Sequence, residues 1–208
     1  MIPIDVLSVF FVAALALGAA PGPDNLFVLT QSALHGRMAG FVVTLGLCSG
    51  LLVHTAAVAL GVAAIFETSA AAFTALKVLG AGYLLYLAIG AWRAGATGIG
   101  NGAAPKLPLA ALYRRGIVMN VTNPKVAIFF LAFLPQFADP AHGSVALQIG
   151  LLGVVFIAAT VMVFGAVALF GGTIGGFLRK ADWAHRALNR AASLVFAGLA
   201  ARLLLTER

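Results

Sequence analysis

Residues 17–29, LGAAPGPDNLFVL, place two prolines, the glycine between them and a carboxylate inside a long apolar stretch. Residues 118–130, VMNVTNPKVAIFF, place a proline and a lysine inside the first apolar stretch of the second half of the chain. A charged side chain at membrane depth is costly, so such a residue indicates a functional site. Apolar segments that proline and glycine interrupt at matching positions of two halves are typical of transporter binding sites. These two segments therefore predict both the fold and the position of its site.

The composition predicts a membrane protein. Of the 208 residues, 62% are hydrophobic and 9% are charged, whereas soluble domains carry about 25% charged residues. The net charge of +7 does not indicate a nucleic-acid partner, because the basic residues cluster between the apolar runs, as in juxtamembrane loops. The single cysteine, Cys48, excludes an internal disulfide and a relay of two thiols.

Six apolar runs are long enough for membrane-spanning helices, which need about 20 residues each. We therefore predict an all-α membrane protein with six transmembrane helices, the first of which is retained rather than cleaved as a signal peptide. Glycines at small-residue spacing in the second and fifth runs favour close helix packing; they are Gly40, Gly46, Gly50, Gly150 and Gly153. The predicted spans are 4–33 with a break near 21–23, then 38–66, 70–92, 112–137, 145–172 and 187–205.

The six spans divide into two sets of three. We predict a first three-helix repeat in residues 1–94, a cytoplasmic linker in 95–110 and a second repeat in 111–208, all within one membrane domain. An odd number of spans makes the second repeat enter the membrane from the opposite face, which gives an inverted repeat. Nine of the 13 Lys and Arg residues lie in loops on one side, and the positive-inside rule makes that side cytoplasmic. Both termini are then expected outside.

The first interruption is predicted to free backbone groups and to place a carboxylate beside them. Pro21 and Pro23 lack amide hydrogens, so the carbonyls of Leu17 and Ala19 lose their helical partners. Asp24 follows in the first turn of the continuing helix, where the helix dipole stabilises a negative charge. Glycine at this point allows the close approach of another group. The predicted site residues of this segment are Pro21, Gly22, Pro23, Asp24 and Asn25.

The second interruption is predicted to bring a cation to the same depth. Pro124 frees the carbonyl of Asn120, and Asn123 is suited to cap the helix that restarts there. Lys125 then follows in the first turn of the new helix. The predicted site residues of this segment are Asn120, Asn123, Pro124 and Lys125.

Together the two segments offer the groups that bind a zwitterion. A carboxylate and loose carbonyls suit an ammonium group, and a lysine or a helix N-terminus suits a carboxylate. A metal site would need more anionic or imidazole ligands, and only His54 is available at depth, so no metal and no cofactor is predicted. Tyr83 and Tyr86 on the third span either line a cavity or only pack. A purely structural Asp24–Lys125 ion pair is the alternative, although such pairs stabilise buried sites poorly.

Five motifs carry a family resemblance: Pro21-Gly22-Pro23, residues 79–87 (LGAGYLLYL), Gly116 through Asn123-Pro124-Lys125, Phe129-Phe130 and Pro135-Gln136-Phe137. With them the chain resembles the LysE/RhtB superfamily of bacterial amino-acid exporters over nearly its whole length. The resemblance implies six spans in the bacterial inner membrane and the export of amino acids or their derivatives, driven by the proton gradient. Known members differ in substrate, which includes lysine, arginine, homoserine, threonine and leucine, so the resemblance implies the class and not the substrate.

Other functions fit the sequence less well. A divalent-cation or metalloid efflux protein, as in a more distant branch, needs several carboxylates, thiols or histidines at depth. A membrane enzyme or thiol carrier needs a second aspartate or a second cysteine, so no enzyme is predicted. A structural subunit leaves Asp24 and Lys125 unexplained. The predicted partners are a small zwitterion, a proton and the lipid bilayer, and the glycine-rich helix faces make a homodimer possible.

Overall fold

The protein is all-α in the computed structural model, which describes residues 2–68, 70–94, 106–180 and 182–205. A π-helical turn at Phe129–Phe133 and a 3-10 turn at Leu134–Phe137 follow α6, and a second 3-10 turn occupies Pro140–His142. The helices of this described part are α1 (Ile4–Ala19), α2 (Pro23–His35), α3 (Arg37–Thr68), α4 (Ala70–Arg93), α5 (Leu109–Val121), α6 (Pro124–Ile128), α7 (Val145–Lys180) and α8 (Asp182–Leu205).

The helices form a multi-span membrane protein of about six spans, as the sequence predicts. Within the described residues, three segments are long and apolar enough to cross a membrane without interruption: Arg37–Gly61, Val145–Gly171 and Arg186–Leu205. Two further spans consist of bent pairs, since α1 meets α2 at 64° and Leu109–Val121 meets Pro124–Phe137 at 50°. The 24-residue helix α4 provides the sixth long segment.

Both predicted interruptions are present. The first break, residues 20–22, separates α1 from α2, and the second break, residues 122–123, separates α5 from α6. Pro23 and Pro124 each begin the helix that follows, a position where the missing amide hydrogen costs nothing. The predicted linker falls largely on residues 95–105, which lie outside the described residues, so the boundaries of the two repeats stay a prediction.

The helix packing is preserved when the two halves are exchanged. The bent span α1–α2 packs on α7, and the bent span that begins with α5 packs on α3. In addition α3 packs on α7, and α4 packs on α8. Exchanging the first three spans with the last three turns the first of these pairs into the second and leaves the α3–α7 and α4–α8 pairs unchanged, as expected for two related repeats.

The two sides of the helical bundle differ in character. On one side, which we call the terminal side, Arg202 near the end of α8 lies over the Phe137 ring at 5.2 Å. On the other, the linker side, the Asn189 side chain near the start of α8 donates to the Ala94 carbonyl after α4 at 3.2 Å. A cluster of aromatic rings fills the core towards the terminal side; its members are Phe10, Phe129, Phe130, Phe133, Phe137 and Phe156.

Helices α3 and α5 approach so closely that only glycine fits between them. A Cβ atom on Gly46 would clash with the Tyr113 carbonyl and lie 3.0 Å from the Gly116 Cα atom. A Cβ atom on Gly116 would meet the Val43 carbonyl in the same way. The glycine prediction is thus confirmed here, but it is wrong for Gly150, whose Cβ atom would have no neighbour within 4 Å.

We expect Gly46→Ala to lower the free energy of unfolding by about 1–3 kcal/mol, because the added methyl group overpacks a contact between two backbones. The measurement is thermal unfolding of the purified protein in detergent. The matched control is Gly150→Ala, where the open space and the better helix propensity of alanine predict no loss. Equal effects of the two substitutions would contradict the close packing of α3 on α5.

Candidate functional site

The Lys125 side chain reaches from the second break into the first. Its Nζ atom donates to the carbonyl oxygen of Leu17 at 3.1 Å and to that of Ala20 at 3.1 Å. The sequence predicts a free carbonyl at Leu17, and the structure supplies its partner. An ammonium group has three hydrogen-bond donors, so one donor of Lys125 is left after these two bonds.

Gly22 allows this approach by having no side chain. Its φ of −169° is ordinary extended backbone, so the position does not need glycine for its conformation. A Cβ atom placed there would lie 3.3 Å from Lys125 Nζ and 3.9 Å from Asn25 Oδ1. The space above Gly22 is therefore bordered by a cation and by an amide oxygen.

Asn25 contributes an acceptor to this space. Its Nδ2 atom donates to the Gly18 carbonyl at 2.7 Å, which satisfies another group near the end of α1. Its Oδ1 atom is buried and has no hydrogen-bond partner within the described part of the chain. An unpaired buried acceptor is costly unless a ligand or water satisfies it, so Asn25 Oδ1 is a candidate ligand contact.

Asp24 lies on a different side of the first break. Its side chain is 5% exposed, and its Oδ2 atom accepts a hydrogen bond from Asn123 Nδ2 at 2.7 Å. The other carboxylate oxygen, Oδ1, is buried without a partner among the described residues. Asp24 and Lys125 are not within 4.0 Å of each other as an ion pair. The two side chains therefore do not form the structural ion pair that the sequence offers as an alternative.

Asn123 connects the two charged residues. Its Oδ1 atom accepts from the Lys125 backbone nitrogen at 3.0 Å, so the predicted helix cap of α6 is confirmed. Its Nδ2 atom binds the Asp24 carboxylate. One amide side chain thus orients the helix that carries Lys125 and also holds the carboxylate of the other half of the chain.

Asn120 and His54 form a polar pair beside the second break. The Asn120 carbonyl accepts from the Asn123 backbone nitrogen at 3.0 Å and lies 3.2 Å from His54 Nε2. Pro124 therefore does not leave this carbonyl open. The Asn120 side chain packs against Gly50, and its Oδ1 atom is buried without a partner in the residues that the structure describes.

A cavity of about 670 Å³ begins at the first break and extends towards the linker side. Lys125 and Asn25 line it, and so does Tyr86, whereas Asp24 and His54 are not among the lining residues. Tyr83 stacks on Tyr86 with ring centroids 5.9 Å apart but is also not a lining residue. Pro21, Gly22 and Pro23 form the cavity wall at the break, while Asn120, Asn123 and Pro124 lie outside it.

Most of the cavity wall comes from residues that sequence reasoning does not select. Helices α2, α4, α7 and α8 contribute ordinary apolar side chains whose pattern does not differ from that of packed or lipid-facing positions. The one polar signal is Asn189, which is buried on α8 and borders the cavity. Apolar side chains or rings on the wall include those of Leu29, Tyr86, Leu87, Val163, Val167 and Phe196.

The comparison with protein families decides the classification. The family model described as LysE type translocator matches residues 15–207. The chain belongs to the LysE family. The resemblance derived from the proline and Asn-Pro-Lys motifs is thus confirmed, and with it the assignment to membrane transport.

Several LysE-family relatives are similar over nearly the full length. An "uncharacterized membrane protein" of Vibrio cholerae is 32% identical over 197 residues, covering 94% of each chain. A "homoserine/homoserine lactone efflux protein" of Salmonella typhimurium is 32% identical over 187 residues, 90% of each chain. A "leucine efflux protein" of Salmonella choleraesuis is 28% identical over 195 residues, covering 93% of this chain and 92% of the relative. No solved structure matches.

Asn123 offers a test of how this LysE-family site is held together. We expect Asn123→Ala to lower the free energy of unfolding by about 1–3 kcal/mol, since it removes a helix cap and a hydrogen bond to a buried carboxylate. Asn123→Ser keeps a capping oxygen but is too short to replace the amide, so its loss should be smaller. Thermal unfolding in detergent, followed by the fluorescence of the two tryptophans, measures both. Wild-type stability in both variants would contradict the role of Asn123.

Proposed function

We propose that the protein is a secondary transporter that exports amino acids or amino-acid derivatives from the cytoplasm in exchange for protons. Family membership supports export, and two relatives are named for the efflux of homoserine or its lactone and of leucine. The single observation that carries the proposal is that Lys125 Nζ and Asn25 Oδ1 both border the space above Gly22, at the wall of a cavity.

The α-carboxylate and α-ammonium groups of an amino acid would each have a partner in the space above Gly22. The remaining donor of Lys125 is directed to a carboxylate, and Asn25 Oδ1 is an acceptor for an α-ammonium group. The α2 N-terminus begins at the same point and adds a favourable field for the carboxylate. Lys125 and Asn25 are the substrate-binding residues in this proposal, and the prolines and Gly22 keep the site accessible.

Asp24 carries the proton in this proposal. It neighbours Asn25 in the chain but lies behind the cavity wall, where its charge acts on the site through a medium of low dielectric constant. An ionised Asp24 favours a bound α-ammonium group, and a protonated Asp24 does not. Proton and substrate therefore compete, which is the condition for antiport. Asn123 keeps Asp24 and Lys125 in register as the repeats move.

The position of the cavity supports the proposed direction of transport. The charge bias of the loops supports a cytoplasmic linker side, with both termini outside the inner membrane. The cavity extends towards that side, and the aromatic cluster fills the core towards the other. The conformation would then accept substrate from the cytoplasm. We keep the homodimer as a prediction, and no observation favours divalent-cation efflux.

Transport into everted membrane vesicles tests the proposal. The vesicle lumen corresponds to the outside of the cell, so export appears as uptake when respiration acidifies the lumen. The panel consists of all 20 natural amino acids in labelled form. We expect at least one of them to accumulate only in vesicles that contain the protein. Its accumulation should fall several-fold when an ionophore collapses the pH gradient. If no member of the panel accumulates, the protein is not an amino-acid exporter.

Asp24→Asn separates proton coupling from binding. We expect the variant to lose accumulation driven by the pH gradient, because an amide cannot exchange a proton. Exchange of labelled for unlabelled substrate across proteoliposomes should persist but need a higher substrate concentration, because the neutral amide does not attract the α-ammonium group. Asp139→Asn is the matched control, since the same chemical change falls at an exposed turn. Wild-type gradient-driven accumulation by Asp24→Asn would remove Asp24 from the coupling mechanism.

A further inference from the structure

Family membership does not determine the side chain of the exported amino acid. One relative is named for the efflux of homoserine and its lactone, and another for the efflux of leucine. We infer that this protein exports neutral amino acids with apolar side chains of about the size of leucine, methionine or phenylalanine. The inference rests on the proposed function and extends it from the amino-acid polar group, held at Lys125 and Asn25, to the rest of the cavity.

The cavity has the size and the surface of a site for an apolar ligand. Its volume of about 670 Å³ lies within the range of roughly 300–1,000 Å³ for small-molecule sites, which are mostly apolar with a few polar groups. Lys125, Asn25 and Asn189 are the polar side chains of the wall besides the hydroxyl group of Tyr86, and the rest of the wall is apolar. Leu29 and Phe196 are buried at this wall, so they present a fixed apolar surface.

The charges at the wall exclude cationic side chains. Among the described lining residues, Lys125 carries the only full charge, and no carboxylate borders the cavity. A lysine or arginine substrate would place a second cation beside Lys125 in an apolar space, without a compensating group. An acidic substrate would have to bury a second carboxylate against the apolar wall, which is equally unfavourable.

Small hydroxylated substrates are accepted less well than apolar ones of larger size. Threonine and homoserine leave most of the apolar wall formed by Leu87, Val163 and Val167 without a contact. In apolar sites a single methylene group changes the specificity constant by about 10–200-fold. We therefore expect leucine to be preferred to threonine and homoserine by at least about tenfold in the initial rate at low concentration.

The test is the initial rate of uptake into energised everted vesicles for leucine, methionine, phenylalanine, threonine, homoserine and lysine, each at the same low concentration. The inference expects the three apolar substrates to be fastest and lysine to be at background. Faster uptake of threonine, homoserine or lysine than of leucine would overturn the inference while leaving the exporter function intact. If none of the six moves, the inference fails, and the panel of all natural amino acids then decides separately whether the proposed export function fails as well.

A pair of variants on α4 links the preference to the cavity. Leu87 borders the cavity, whereas Leu85 is exposed and is not a lining residue. We expect Leu87→Ala to reduce the ratio of leucine to threonine uptake by about tenfold, in line with the loss of apolar contacts, and Leu85→Ala to leave the ratio unchanged. The ratio does not depend on the amount of folded protein. An unchanged ratio in Leu87→Ala, or an equal change in both variants, would contradict the inference.

Discussion

The contact of the Lys125 ammonium group with the carbonyls of Leu17 and Ala20 is the interaction on which the rest of the site depends. The prolines of the first break remove helical hydrogen bonds, and backbone groups left bare at membrane depth are tolerated only against protein or a polar cavity. A lysine at that depth has the same requirement. Lys125 of the second break therefore provides donors for the free carbonyls of the first break, and these carbonyls provide acceptors for its ammonium group. The two halves of the chain are thus hydrogen-bonded to each other at their helix breaks. Hydrogen bonds to a charged group are worth about 1.5–3 kcal/mol each, so this junction also contributes to stability.

The junction divides the polar residues between two environments. Lys125 and Asn25 border the cavity, whereas Asp24 is buried behind its wall and bonds to Asn123. Such a division suits a transporter that exchanges two species, because substrate and proton can then act on the same charges without sharing the same space. Asn123 contacts one residue of each environment, since it accepts from the Lys125 backbone nitrogen and donates to Asp24. A movement of α6 would change both contacts together.

The positions of the helix breaks could be predicted from the local chemistry of the sequence. Prolines fix where a helix must stop, and the sequence therefore indicates the two breaks, the cap at Asn123 and the depth of Lys125. The direction of a side chain around a helix depends on its neighbours, and for that reason the sequence does not indicate that Asp24 turns away from the cavity. The partners of Lys125 were also beyond prediction, because proline shows that the Leu17 carbonyl loses a bond but not which distant group replaces it. The cavity wall comes from apolar residues of four helices, and nothing in their pattern separates them from lipid-facing positions.

The central claim is that both breaks form one amino-acid site at Lys125. The most direct test is a structure of the protein in lipid nanodiscs, bound to the amino acid that it exports fastest. The account predicts the substrate in the cavity above Gly22, with its carboxylate about 3 Å from Lys125 Nζ and its ammonium group at Asn25. A substrate bound elsewhere, with Lys125 still bonded only to the carbonyls of Leu17 and Ala20, would contradict the account.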